Sequence, residues 1–305
     1  MVPKMRFSVW PSPAQPTTDL IEVAQHADRS GWDGVYVSDH FMGDGGGFGA
    51  VEAPVLECTA LLAYLSSATE RVRLGSLVFG TTYRHPAVLA NWAATVDRLS
   101  GGRLVLGLGA GWQVNEHEQY GIDLPGVGDR VARFEETCAV TRSLLTEPTT
   151  DFAGDWFTLT AAVCEPKPIQ ERLPILIGAK GDRMLGLTAR IADEWNSWGL
   201  PEGVAERMAV LDAACERHGR DPATIARSTQ ALVLLTDDTQ AAAAFVESVA
   251  PRAAMAGTPR QIAETVADYA EVGLDEFIVP DFVLGEGARK LEALDSLLEE
   301  FRALS

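Results

Sequence analysis

One histidine stands where a chain can readily place chemistry. His40 directly follows the apolar run Gly34-Val35-Tyr36-Val37-Ser38, in Ser38-Asp39-His40-Phe41. An imidazole titrates near neutrality, which suits proton transfer or a hydrogen bond to a substrate oxygen. Packing is the other use of such a residue, and Asp39 either orients the ring or simply begins the loop. Trp112, Glu116 and Tyr120 recur at i, i+4 and i+8, one face of a helix. Glu116 there is either a packing and capping residue or a second acid–base candidate.

Three glycine-bearing segments could meet a ligand. Gly75-Ser76-Leu77-Val78-Phe79-Gly80-Thr81-Thr82 ends an apolar run with small residues that let backbone approach a flat molecule closely. Gly107-Leu108-Gly109-Ala110-Gly111 has the spacing G-x-G-x-G, not the dinucleotide fingerprint G-x-G-x-x-G. Gly109 and Gly111 therefore read as close backbone approach to a ligand, or as tight strand packing. Gly178-Ala179-Lys180-Gly181-Asp182 follows Pro174-Ile175-Leu176-Ile177 and opens a helix. Free amides there, with Lys180 and Arg183 beside them, suit a phosphate; an ordinary turn is the alternative. The five histidines include no H-x-H or H-E-x-x-H spacing, and no G-x-S-x-G elbow occurs. Zinc hydrolysis and serine hydrolysis are set aside.

The elements that must position these residues follow from periodicity. Strand-like runs fall at 7–10, 34–38, 72–78, 103–109, 174–178, 192–196, 231–235 and 277–279. Amphipathic helical stretches lie between them. Leu20, Val23, Ala24 and Ala27 share one helical face, with Asp19 and Glu22 spaced as a capping box and Gly31 as a stop. Pro86 opens another helix. Residues 151–168 read as a hairpin insertion after the fourth βα unit. Eight strands, each followed by a helix, predict an α/β fold: a single (β/α)8 TIM barrel spanning 1–305, with a doubly wound open sheet as the alternative. In a barrel the C-terminal ends of the strands carry function, which is where His40 and the three glycine segments fall.

Composition narrows the partners. The chain of 305 residues carries 43 Asp plus Glu against 25 Lys plus Arg, a net charge of −18, and is 47% hydrophobic. So acidic a surface repels phosphate backbones, which argues against nucleic acid as a partner. No run is long enough to cross a bilayer, and Met1 to Phe7 leaves no room for a signal peptide. Cys58, Cys138, Cys164 and Cys215 are widely spaced and read as reduced thiols in a cytoplasmic protein.

Taken together, the motifs resemble the luciferase-like monooxygenases and their deazaflavin-dependent relatives. The matching segments are Gly31-Trp32-Asp33-Gly34-Val35-Tyr36-Val37-Ser38-Asp39-His40-Phe41, Arg71-Val72-Arg73-Leu74-Gly75 and Tyr83-Arg84-His85-Pro86. They continue with Asp97-Arg98-Leu99-Ser100-Gly101-Gly102-Arg103, Leu106 through Trp112, Pro174 through Gly178, and Ala192-Asp193-Glu194-Trp195-Asn196. The resemblance implies a flavin or deazaflavin across the barrel mouth, with a non-proline cis peptide at Leu77–Val78 against its ring. It further implies that His40 contacts ring or substrate, that Gly178, Ala179, Lys180 and Gly181 hold the cofactor phosphate, and that Asn196 lies close by.

Relatives that oxidise glucose 6-phosphate or alcohols carry a glutamate where this chain has Trp112, so neither their proton donor nor their substrate carries over. The form Gly-Trp-x-x-x-Glu, here Gly111 to Glu116, resembles a deazaflavin-dependent branch and places coenzyme F420 ahead of FMN. The expectation is an oxidoreductase that exchanges a hydride between F420 and a small organic substrate, with His40 as the acid–base residue, Glu116 in reserve, and a homodimer as the assembly. The alternatives are an FMN-dependent monooxygenase fed by a separate flavin reductase, and a non-catalytic flavin-binding barrel.

Overall fold

Short runs buried on both faces cannot sit at a protein surface, and this chain resolves them by closing a sheet on itself. The computed structural model describes residues 5–46 and 48–304. Its strands are β1 (Arg6–Trp10), β2 (Gly34–Val37), β3 (Arg73–Ser76), β4 (Phe79–Gly80), β5 (Leu104–Gly109), β6 (Thr150–Ala153), β7 (Thr158–Ala162), β8 (Ile175–Gly178), β9 (Glu194–Trp198), β10 (Ala226–Gln230), β11 (Leu232–Leu235), β12 (Ala254–Gly257) and β13 (Glu276–Pro280). Its helices are α1 (Thr17–Ser30), α2 (Cys58–Ala68), α3 (Pro86–Leu99), α4 (Val114–Tyr120), α5 (Val127–Thr146), α6 (Asp182–Ile191), α7 (Pro201–Arg217), α8 (Thr239–Ser248), α9 (Pro259–Glu271) and α10 (Gly287–Leu304).

Eight parallel strands, in the order β1-β2-β3-β5-β8-β9-β10-β13, form the (β/α)8 barrel. It closes through β1 on β13, with Phe7 opposite Phe277 and Val9 opposite Val279. After the Leu77–Val78 bond, β4 continues the path of β3 and pairs with the far end of β5. The antiparallel hairpin β6–β7 lies between α5 and β8, after the fourth barrel strand. No helix among the described residues is long and apolar enough to cross a membrane.

Two local expectations fail. Residues 231–235 were expected to be the seventh barrel strand. That strand is instead β10, five residues earlier, while β11 leaves the barrel and pairs with β12 in a separate two-stranded parallel sheet. The capping box at Asp19 and Glu22 does not form. Pro16 is the N-cap of α1, so the helix starts two residues before Asp19, with no side-chain cap. The same helix does stop at Gly31, which takes the left-handed conformation (φ 98°), and Pro86 is the first residue of α3.

The barrel interior is apolar in its middle, where Trp10, Tyr36, Leu77, Val105, Leu176 and Ile278 pack together. Its lower end is charged. Arg6, Arg73, Glu194 and Glu276 each begin a strand. Glu276, fully buried, accepts from Arg6 Nη2 at 3.1 Å, Arg73 Nη1 at 3.2 Å, Ser8 Oγ at 2.5 Å and Tyr36 Oη at 3.3 Å. Glu194 pairs with the same Arg73.

Candidate active site

At the upper end, the strands are shaped around one valine. The peptide Leu77–Val78 is cis, as the motif resemblance implied. Strands β3 and β5 meet closely just before it: a Cβ added at Gly107 would lie 1.9 Å from Ser76 O. One at Gly109 would lie 2.6 Å from Val78 Cγ2. These glycines therefore serve close packing, and Gly109 also faces the space above. Gly109→Ala should cost roughly 1–3 kcal/mol, because branched Val78 cannot swing away cheaply. A melting temperature equal to that of the parent would contradict this.

Above Val78 opens a cavity of about 460 Å³, within the range of small-molecule and cofactor sites. Leu77, Val78 and Phe79 form its apolar floor, Gly109 to Trp112 one wall, Asn196, Ser197 and Trp198 another, and Trp10 and Phe48 a third. His40, Tyr83, Gly178, Ala179 and Lys180 complete the rim. Of the residues singled out from sequence, His40, Leu77, Val78, Gly109, Gly111, Trp112, Gly178, Ala179, Lys180 and Asn196 line this space, whereas Glu116, Tyr120, Gly181 and Arg183 do not.

Glu116 sits behind His40 instead. It lies in the first turn of α4, fully buried. His40 Nδ1 is 3.1 Å from Glu116 Oε2, Tyr83 Oη donates to that oxygen at 2.5 Å, and the backbone N–H of Phe41 donates to Oε1 at 2.5 Å. Burial by itself pushes the Glu116 carboxyl up, but the hydrogen bonds from His40 and Tyr83 outweigh it and hold the group below the usual carboxylate range. An ionised carboxylate can only accept, so His40 carries its proton on Nδ1. Its Nε2 has no hydrogen-bond partner among the described residues. The ring is braced edge-on by Trp112, with centroids 5.4 Å apart, and by Phe48 at 5.1 Å. Burial, followed by the hydrogen bond to Glu116, pushes the Tyr83 phenol well above its usual range, so it stays a donor.

Asp39 does not hydrogen-bond His40. It takes two bonds from Arg84, at 2.7 and 2.8 Å, and one from Gly80 N at 2.9 Å, so it fixes the backbone just past Val78. Burial raises its pKa against the opposing pull of Arg84. Beyond β8, Gly181 is the N-cap of α6, which brings that helix's free amides to the cavity edge beside Ala179 and Lys180. Lys180 is exposed and has no partner among the described residues, whereas Asp182 is paired with Arg207 at 2.8 Å. Asn196, the partner of Gly178 across β8 and β9, lines the adjoining wall and is bonded to Ser228 and Gln230.

Sequence reading missed Trp10, Trp198 and Gln230. The strand-end rule reaches Trp10, which closes the first barrel strand. It does not reach Gln230, because the seventh strand was placed too late.

The architecture is thus a (β/α)8 barrel with a ligand-sized cavity at its C-terminal mouth. The chain belongs to the luciferase-like monooxygenase family, whose model matches residues 2–253, in agreement with the motif resemblance. It is 35% identical over 179 residues to an F420-dependent glucose-6-phosphate dehydrogenase from Amycolatopsis mediterranei (strain U-32), covering 57% of this chain and 51% of that one. It is 32% identical over 173 residues to a pyrimidine monooxygenase from Cronobacter sakazakii (strain ATCC BAA-894), covering 54% and 50%. The matches span about half the length of these curated relatives. Among solved structures, an F420-dependent secondary alcohol dehydrogenase in complex with an F420-acetone adduct superposes with a TM-score of 0.87 at 18% identity, over 98% of this chain and 99% of that one.

Proposed function

We propose that this chain is an oxidoreductase that seats coenzyme F420 across the barrel mouth and exchanges a hydride between it and a small organic substrate. The observation that carries this reading is His40, held by Glu116 through Nδ1 with Nε2 unpaired, beside the apolar floor of Leu77 and Val78. The relatives named F420-dependent support the choice of cofactor. A cavity of about 460 Å³ with an apolar floor, helix-start amides and a free lysine suits a planar ring with a phosphate-bearing tail.

When bound, F420 supplies the hydride chemistry. The protein's share is placement and proton handling. Leu77, Val78, Gly109 and Gly111 would support the ring. Ala179, Lys180 and the amides after Gly181 would hold the phosphate. His40 Nε2 would exchange a proton with the substrate, while Glu116, itself held by Tyr83, keeps the imidazole in place. In this reading the protein works in the cytoplasm as a homodimer, without nucleic-acid partners.

Titration of the protein with F420 and with FMN tests the proposal, and F420 is expected to bind more tightly. Markedly tighter FMN binding, with oxygen uptake when reduced FMN is supplied, would instead support a flavin monooxygenase served by a separate reductase. The pyrimidine monooxygenase relative keeps that second reading in view.

A further inference from the structure

Two amide side chains in the cavity wall have their orientations fixed by their neighbours, and each leaves one polar atom to spare. Asn196 on β9 stands opposite Ser228 on β10, and Trp198 opposite Gln230. Ser228 Oγ donates to Trp195 O at 3.2 Å. It can therefore only accept from Asn196, and the Asn196 atom 3.0 Å away is Nδ2. The second hydrogen of that nitrogen goes to Gln230 at 2.8 Å, so the Gln230 atom is Oε1. What remains is Asn196 Oδ1, an acceptor, and Gln230 Nε2, a donor.

Neither atom has a partner among the described residues. The two side chains are only 4% and 2% exposed, both line the cavity, and neither spare atom is sealed from it. Buried polar groups without partners are costly, so the cavity's occupant is the group that would satisfy them. Trp10 and Trp198 stand beside the pair, with ring centroids 5.7 Å apart, and favour a flat occupant.

We propose that Asn196 and Gln230 together recognise a lactam or imide edge, an N–H next to a C=O on a planar ring. Asn196 Oδ1 accepts from the ring N–H, and Gln230 Nε2 donates to the ring carbonyl. Two sources carry that edge: the pyrimidinedione end of a deazaflavin or flavin, or a lactam-bearing substrate. The first rests on the function proposed above and the second does not.

Two pairs of probes distinguish the sources, both followed by calorimetry. The first is 5-deazariboflavin against its 3-methyl derivative, which lacks the imide hydrogen. The second is uracil against 1,3-dimethyluracil, on protein already loaded with F420 and on protein without it. In one arm the unmethylated ring should bind on the order of tenfold more tightly or better, since a site built to bond an N–H rejects the analogue lacking it. Gln230→Glu keeps an acceptor for Asn196 but turns the cavity-facing donor into an acceptor. It should abolish the preference while its melting temperature stays near that of the parent.

Equal binding of methylated and unmethylated rings in both arms overturns the proposal. So does a Gln230→Glu variant that keeps the preference, or binding of no probe at all. Tight F420 binding without discrimination removes this inference and leaves the proposed function standing. A uracil preference in protein that binds neither F420 nor FMN does the reverse.

Discussion

Replacing His40 with alanine is expected to lower turnover by on the order of a hundredfold or more while F420 still binds. General acid–base groups contribute on that scale, and the side chain is aimed for the task. The Glu116 carboxylate fixes its proton on Nδ1, and Trp112 and Phe48 brace the ring, leaving Nε2 without a partner. No other imidazole lines the cavity: His117, the nearest in sequence to Glu116, is spent on Thr82 Oγ1 and Gln113 O. Cofactor affinity and single-turnover hydride transfer, measured on one preparation with its melting temperature, separate the possible roles. A full-speed variant with a lowered melting temperature would make His40 a packing residue.

Glu276→Ala should destabilise the fold by roughly 3 kcal/mol, because it removes a fully buried carboxylate that the partly buried Arg6 and Arg73 share, leaving Arg73 with Glu194 alone. Arg6 and Arg73 both aim at this carboxylate, and Ser8 and Tyr36 donate to it as well. Burial pushes Glu276 up, but Arg73 and Arg6 outweigh it and hold its pKa below the usual range. Glu194, in the same cluster, moves the other way, raised by burial despite Arg73. A carboxylate whose folded pKa is depressed contributes its full stability above the unfolded pKa, and the contribution is lost as pH falls through the folded one. The gap in melting temperature between the parent and Glu276→Gln should therefore hold steady at neutral pH and narrow as pH falls below the usual carboxylate range. A gap that stays constant would mean the side chain matters for packing alone.

The alternation that gave the barrel was legible because its strands are buried on both faces and read as plain apolar runs. Strand β10 escaped for the opposite reason. Its sequence Ala-Arg-Ser-Thr-Gln looks like a loop, yet Ser228 and Thr229 satisfy their hydroxyls on the backbone of β9, at 3.2 and 2.6 Å. Polar side chains there cost little because the neighbouring strand supplies acceptors, and no single-strand pattern carries that information. The apolar run at 231–235 took its place in the reading because burial outside the barrel leaves the same mark as burial within it. Within the site, the glycines and His40 could be placed by the strand-end rule. The role of Glu116 behind His40 could not, since it depends on where α4 crosses the mouth. Asp39 likewise revealed its partner, Arg84, only once the loop after Val78 was folded.

The join between β1 and β13 brings Arg6 to Glu276, residues 270 positions apart in the chain. A chain leaving the ribosome holds β1 until β13 emerges with one hydrogen-bonding edge open and Arg6 and Arg73 lacking their shared anion. Closure is consequently a late event that depends on contacts between distant parts of the chain, of the kind that makes folding slow. Until β13 docks, the nascent sheet offers an edge on which another strand could pair. The last barrel strand to be made is thus the one that both seals the barrel and neutralises its base.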